Sequence, residues 1–280
     1  MQKNYLKINF YFVPVYIRMG MLYYLQNITY TFLFSLFCIL FFGSLSADVY
    51  FTGGPETYFI KRSREGGSFQ KGRLDGVKID IDRIERCRWY FGGEYQYASG
   101  DIKGYTAGGN YFVSKLTDTI YEGRLGYTFQ QKEGRQPFFV PFGGWGYFKE
   151  VNAFRYPSLL TYTFNDTFHF FTIGFLSGVN FTPLLSMGVN FKVRFMIDGT
   201  SQVTNDPVYD EVNLNMENEM QIRLDIPFTF NLPCSLFGIA MQLVPFYEFR
   251  HFGGREGYPF NFRDTKFYIY GAQLALLYRY

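Results

Sequence analysis

Charge is scarce in this chain. Asp, Glu, Lys and Arg fill 18% of the 280 positions, where an ordinary soluble domain carries roughly 25%. Their balance, 27 basic against 24 acidic residues, leaves a net charge of only +3. That offers no basic footprint for a nucleic acid, so no nucleic-acid partner is expected. Histidine occurs twice and cysteine three times. No zinc spacing, phosphate loop or nucleophile elbow appears, and no cofactor is expected. Long apolar runs are also missing. Beyond residue 43 no stretch approaches the roughly 20 apolar residues of a spanning helix, which excludes a bundle of membrane helices.

Aromatic residues are abundant. Phe, Tyr and Trp number 35, 25 and 2, or 22% of the chain, alongside 29 Gly. Aromatics at this level with a small net charge exclude disorder. They favour sheet.

The N-terminus reads as an export signal. Residues 1–30 carry Lys3, Lys7 and Arg18 and no acid, and the apolar run TFLFSLFCILFFG follows at 31–43. That run is too short to span a bilayer and suits a signal-peptide core. Small residues then end in Ala47, so residues 1–47 are expected to be a cleaved leader and 48–280 one mature domain. Met19 and Met21 are alternative starts, and an uncleaved anchor is the alternative role.

The mature chain alternates with period two. Met187, Val189, Phe191, Val193, Phe195 and Ile197 are apolar, with Lys192 and Arg194 between them. From Val212 to Phe228, Val212, Leu214, Met216, Met220, Ile222 and Leu224 are read as one face, and Asn213, Glu217, Glu219, Arg223 and Asp225 as the other. At the end, Tyr268, Tyr270, Ala272, Leu274, Leu276, Tyr278 and Tyr280 share a face. A helix would scatter these sets. Several runs reach ten residues, longer than the strands of a soluble sandwich and close to the roughly 9–11 that cross a bilayer at a tilt, with a secreted sandwich or soluble lipocalin-type barrel as the alternative.

Connections alternate in length. Segments 84–87, 130–136, 182–185 and 229–235 are short, and 99–115, 149–166, 198–211 and 252–265 are long. This spacing predicts an all-β fold: a closed antiparallel transmembrane β-barrel with short periplasmic turns and long outer loops. Counting back from Tyr280 gives nine strands. Periplasmic termini require an even number, so a tenth, weakly patterned strand containing Pro55 is expected within 49–61, with eight strands as the alternative.

The ending FYIYGAQLALLYRY (267–280) is similar to the last strand of small bacterial outer-membrane β-barrel proteins. The resemblance implies that Leu274, Leu276, Tyr278 and Tyr280 form the signal read by the outer-membrane assembly machinery. The segments PFGGWGYF (141–148), PFYEFRHFGG (245–254) and YPFNFRDT (258–265) resemble barrel proteins of chlamydia-like bacteria. The resemblance implies location and topology, with outer-membrane lipid as surroundings, and no enzymatic activity.

Turning the polar parity inward predicts a lumen charge network of Glu94, Glu122, Arg124, Lys192, Arg194, Glu217, Glu219, Arg223, Glu248, Arg250 and Arg279, with Lys78, Asp80 and Asp225. Balanced charges in a narrow barrel favour a salt-bridged plug and a structural or surface-interaction role. A narrow small-solute channel is the first alternative. The second is a rim protease or lipid hydrolase, in which His251 and Asp264 activate water, with Asp198, Asp206 and Asp210 nearby. His169, between Phe168 and Phe170, reads as structural. The glycine pairs 92–93, 143–144 and 253–254 read as strand kinks or close packing. The outer loops are the expected place for an extracellular ligand. Cys87 and Cys234 fall at turns of separate hairpins, too far apart for an internal disulfide. That leaves cross-linking between molecules or two thiols.

Overall fold

A computed structural model describes residues 48–280 apart from 86, 131–136, 233–237, 258 and 260. The expected leader and Cys234 lie outside the described residues. The strands are β1 (Asp48–Arg64), β2 (Ser68–Ile84), β3 (Trp89–Tyr105), β4 (Tyr111–Tyr127), β5 (Phe129–Gln130), β6 (Phe138–Arg155), β7 (Thr163–Asn180), β8 (Leu185–Gly188), β9 (Asn190–Asp206), β10 (Asp210–Asn215), β11 (Met220–Asp225), β12 (Phe228–Asn231), β13 (Ile239–Phe252) and β14 (Thr265–Arg279). β5 extends β4, β8 leads into β9, and β10, β11 and β12 are pieces of one pass. The chain therefore makes ten antiparallel passes.

The sheet closes on itself. Neighbours run β1, β2, β3, β4, β6, β7, β9, β11, β13, β14, and β14 pairs back with β1 from Tyr50↔Arg279 to Arg64↔Thr265. Closure leaves no long unpaired edge, as a sheet surrounded by hydrocarbon requires. The weakly patterned first strand exists over its whole expected length. Pro55 is accommodated where β1 leaves its β14 partner: the pairing is interrupted between Gly53↔Leu276 and Glu56↔Gln273.

Period two sorts the side chains. On β14 the outward residues Tyr270, Leu274 and Leu276 are 52–61% exposed, while inward Phe267, Ile269, Gln273 and Ala275 are at most 2% exposed. The outward face also changes along the strands. From the end that carries Asp48 and Tyr280, β3 shows Trp89, Phe91, Gly93, Tyr95 and Tyr97, then Ser99, Asp101 and Lys103. β9 shows Phe191, Val193, Phe195 and Ile197, then Asp198, Thr200, Gln202 and Thr204. β14 mirrors them, with Tyr278 through Tyr268 followed by Lys266. The apolar zone thus covers about nine residues of each pass, close to the roughly 9–11 that cross a bilayer. Aromatic rings mark both borders: Phe51 and Tyr278 at the terminal end (6.4 Å), Phe59 and Tyr270 at the other (5.7 Å, stacked).

The far end differs from the expected loops. Strands of 17 or 18 residues continue into segments read as loops, so the turns shrink to 65–67, 106–110, 156–162 and 207–209, and the connection 253–264, described apart from 258 and 260, is the longest at this end. At roughly 3.3 Å per residue and a tilt near 40°, such strands stand about 40 Å tall against an apolar band of about 25 Å. The polar upper third is a collar standing clear of the band.

Parity is corrected in one pass. Val212, Leu214 and Met216 point inward and are 2–6% exposed, whereas Met220 is 45% exposed and Gln221, Arg223 and Asp225 take the inward positions. The irregular stretch between β10 and β11 resets the alternation. Beside it, on the paired strand, a second irregularity occurs where β7 meets β9 between Thr167 and His169, with Asp198 at φ 51°.

Candidate functional site

The lumen is filled in layers. Near the terminal end, Tyr90, Val140, Phe142 and Leu176 form an apolar floor. Above it lies the charge network. Lys192 Nζ donates to Glu94 at 2.7 Å and lies 3.3 Å from Glu122. Arg194 donates to Glu94 and Glu122, both at 3.0 Å, and to Glu248 at 3.3 Å. Arg124 reaches Asp80 at 2.9 Å, and Lys78 lies 3.5 Å from Glu94. Arg223 donates to Asp225 at 2.9 Å, to Glu248 at 3.1 Å and to Glu56 at 3.4 Å. Arg250 donates to Glu248 and to Asp118, each at 2.6 Å.

Several of these bonds cross the barrel. β4 and β13 stand five passes apart in a ring of ten, on opposite walls, yet Arg250 and Asp118 meet at 2.6 Å. β3 and β11 are also five apart, and Arg223 donates to Gln96 Oε1 at 3.2 Å. Long guanidinium side chains bridge the lumen because each can engage two or three carboxylates at once.

A ring layer sits above the ions. Phe148 stacks on Phe168 at 4.6 Å, Phe252 lies 4.7 Å from Phe267, and Phe148 meets Phe252 at 5.8 Å from a strand four passes away. Arg250 and Arg62 cover Phe148 and Phe267 at 5.1 and 5.0 Å, a favourable cation–π contact when desolvated. Arg62 also pairs with Glu150 at 3.3 Å and Asp166 at 3.7 Å. Toward the loop end, Ile102, Leu116, Phe164, Val203, Val212 and Leu214 close the interior.

The predicted site residues divide between this interior and the surface. Glu94, Glu122, Arg124, Lys192, Arg194, Arg223, Glu248 and Arg250 are all buried inside the barrel at 0–8% exposure. Glu217 is exposed, Glu219 is half-buried and Arg279 is exposed. For Glu217 and Glu219 the cause is the parity reset before β11. Arg279 has inward parity but ends its strand at the rim, over the Tyr50 ring at 5.7 Å. Sequence reasoning did not reach Glu56, Asp118, Glu150, Asp166 or Arg62. Glu56 follows Pro55 in the weakly patterned strand, and Glu150 and Asp166 lie in a segment read as loop. Leu274, Leu276 and Tyr278 face outward, and the backbone of Tyr280 exchanges hydrogen bonds with Val49 at 2.9 and 3.3 Å, sealing the seam. Cys87 is exposed on the turn after β2, where Tyr127 Oη donates to its carbonyl at 2.8 Å.

His251 faces outward at the loop-side border. Its Nδ1 lies 3.2 Å from Glu219 and its Nε2 meets Asp264. A general base that activates water needs one ring nitrogen oriented and the other open to the water. Here carboxylates occupy both, and the group acts as a clip tying the 253–264 loop to the strand wall. Asp198 and Asp206 form no described contact with it, and the side chain of Asp210 lies outside the described ones. Asp206 Oδ1 accepts from the amides of Val208 and Tyr209 in its own turn at 2.9 and 3.0 Å. His169 lies exposed on the outer wall, 6.0 Å from Trp145 and 5.4 Å from Tyr147.

A closed ten-pass barrel with an apolar outer band and a charged interior has the fold of bacterial outer-membrane β-barrels. The chain is similar to the outer-membrane protease OmpT of Escherichia coli, with 9% identity and a TM-score of 0.55, covering 85% of this chain and 99% of that one. It is also similar to the translocator domain of the autotransporter NalP of Neisseria meningitidis, with 9% identity and a TM-score of 0.50, covering 85% and 90% respectively. At this identity the likeness is one of fold. No protein-family model and no curated protein matches the chain.

Proposed function

We propose that this chain is an integral outer-membrane β-barrel with a structural or surface-interaction role and a lumen closed to solutes. The observation that carries the reading is the ion mesh joining opposite walls, with apolar layers below and above it. In this reading residues 1–47 are a leader removed on export, and the end carrying the termini faces the periplasm. The terminal strand, with Leu274, Leu276, Tyr278 and Tyr280, is handed to the assembly machinery. The collar and the 253–264 loop project outward, where an extracellular ligand would meet them. Cys87, exposed on its turn, would stand at the periplasmic end, accessible to cross-linking. The segments PFGGWGYF and YPFNFRDT remain the basis for tying the chain to the barrels of chlamydia-like bacteria.

The test is conductance. Pure refolded protein inserted into planar bilayers is expected to carry no steady current, and steady single-channel steps would sink the closed-lumen reading in favour of a small-solute channel. Placement is checked by fractionation, where recovery in the soluble periplasm, or electrophoresis without a heat-modifiable band, would count against a membrane barrel.

A further inference from the structure

The collar carries a row of lysines that no acid neutralises. Lys61 on β1 stands directly opposite Lys71 on β2, and Lys71 stands directly opposite Lys103 on β3. All three are exposed on the outward face. Among the described residues none of them forms an ion pair, and the acids nearby are engaged elsewhere. Asp75 is held by Arg73 at 2.8 Å, Asp101 by Arg155 at 3.8 Å, and Asp264 by His251 and Lys266. Like charges directly opposite in a sheet repel and destabilise it. With strands about 4.8 Å apart, the backbone positions of the three lysines lie within about 10 Å of one another. The turn acid Glu65 makes no ion pair with the row.

Height gives the row a meaning. Lys61 is the next outward residue after Phe59, whose ring stacks on Tyr270 at the loop-side aromatic border. Aromatic belts lie at the level of the lipid headgroups. Ammonium groups one outward position beyond the belt meet the phosphates, for which lysine is a good point-charge partner. On the far side of the row Phe69 and Tyr105 pair at 5.8 Å, so the lysines lie in a strip bounded by rings on both sides.

We propose that Lys61, Lys71 and Lys103 form a docking surface for the phosphate groups of anionic lipid in the leaflet at the loop end. The proposal rests on the membrane-spanning reading above. A bound phosphate would relieve the repulsion along the row, and three neighbouring strands would hold one headgroup.

The test uses the folded full barrel in maltoside micelles, titrated with phosphatidic acid or phosphatidylcholine and followed by native mass spectrometry. Each lysine is expected to contribute about five-fold to the preference for phosphatidic acid. The triple variant Lys61→Gln, Lys71→Gln, Lys103→Gln should therefore lose about a hundred-fold. A control variant, Lys115→Gln with Lys149→Gln, should keep the preference. Retention of the preference by the triple variant overturns the proposal, as does equal loss in the control. Displacement of the lipid by an equal concentration of inorganic pyrophosphate would show a free-phosphate site and overturn the lipid assignment. Separately, wild-type protein that does not co-float with phosphatidylcholine vesicles overturns the membrane reading and this proposal together. Co-flotation without lipid preference overturns this proposal alone.

Discussion

Glu94 is the most heavily shared acid of the lumen, with Lys192, Arg194 and Lys78 within 3.5 Å and Arg124 at 3.7 Å. Its carboxylate is buried, so its charge is tolerated only because these cations surround it. Removing one partner of a buried pair leaves the others uncompensated, at a cost of about 3–5 kcal/mol. Glu94→Gln is therefore expected to lower the unfolding free energy in micelles by that amount, measured by urea titration of the heat-modifiable form. Asp75→Asn, which breaks the exposed pair with Arg73, should leave the urea midpoint almost unchanged. Gly76 makes a steric counterpart. A Cβ there would lie 1.9 Å from the Tyr97 carbonyl oxygen on the neighbouring strand. Gly76→Ala must push β2 away from β3, and a loss of about 1–3 kcal/mol is expected in the same titration.

At the scale of the strand, the outward face changes character partway up, and the change can be tested by depth. Leu274 lies in the middle of the apolar zone of β14, and Thr204 lies in the collar on β9. An arginine facing lipid costs about 2–4 kcal/mol at the midplane and about 0–1 near the interface. Leu274→Arg should destabilise the barrel in phospholipid vesicles by the larger amount and Thr204→Arg by the smaller. Equal effects would mean that the aromatic borders do not mark the membrane. The strands most legible in the sequence are those whose outward half lies in this zone, because hydrocarbon forces one face to be apolar while the lumen keeps the other polar. The last strand, Phe267 to Tyr280, is the clearest case. The collar was not legible for the opposite reason: with water outside, Ser99, Asp101 and Lys103 alternate with Gly100, Ile102 and Gly104 in a pattern that reads as loop. The same blindness hid Glu150 and Asp166, two members of the lumen site. The parity reset before Met220 was invisible too, since apolar residues occupy the even positions on both sides of it while the core moves from one set to the other.

At the scale of the whole molecule, the proposed closure of the lumen rests on layers in series. The ion mesh joins opposite walls, and the ring layer of Phe148, Phe168, Phe252 and Phe267 joins strands up to four passes apart. On the proposed reading either one alone is expected to block a hydrated ion, since an ion entering the aromatic layer must leave its water shell behind. Truncating only the mesh, by Glu94→Ala, Arg194→Ala, Arg223→Ala and Glu248→Ala together, removes balanced charge and makes a wet cavity that still ends against the rings. Truncating only Phe148→Ala and Phe252→Ala opens the rings onto the mesh. Neither variant is expected to conduct steadily in planar bilayers, whereas the combined variant should, provided that a heat-modifiable band shows it still folds. Steady current from the mesh variant alone would mean that the rings part readily, and that the charges by themselves hold the barrel shut. The apolar floor around Tyr90 and Phe142 is thinner, and the combined variant tests it as well: if that variant folds and stays silent, the floor is the third barrier.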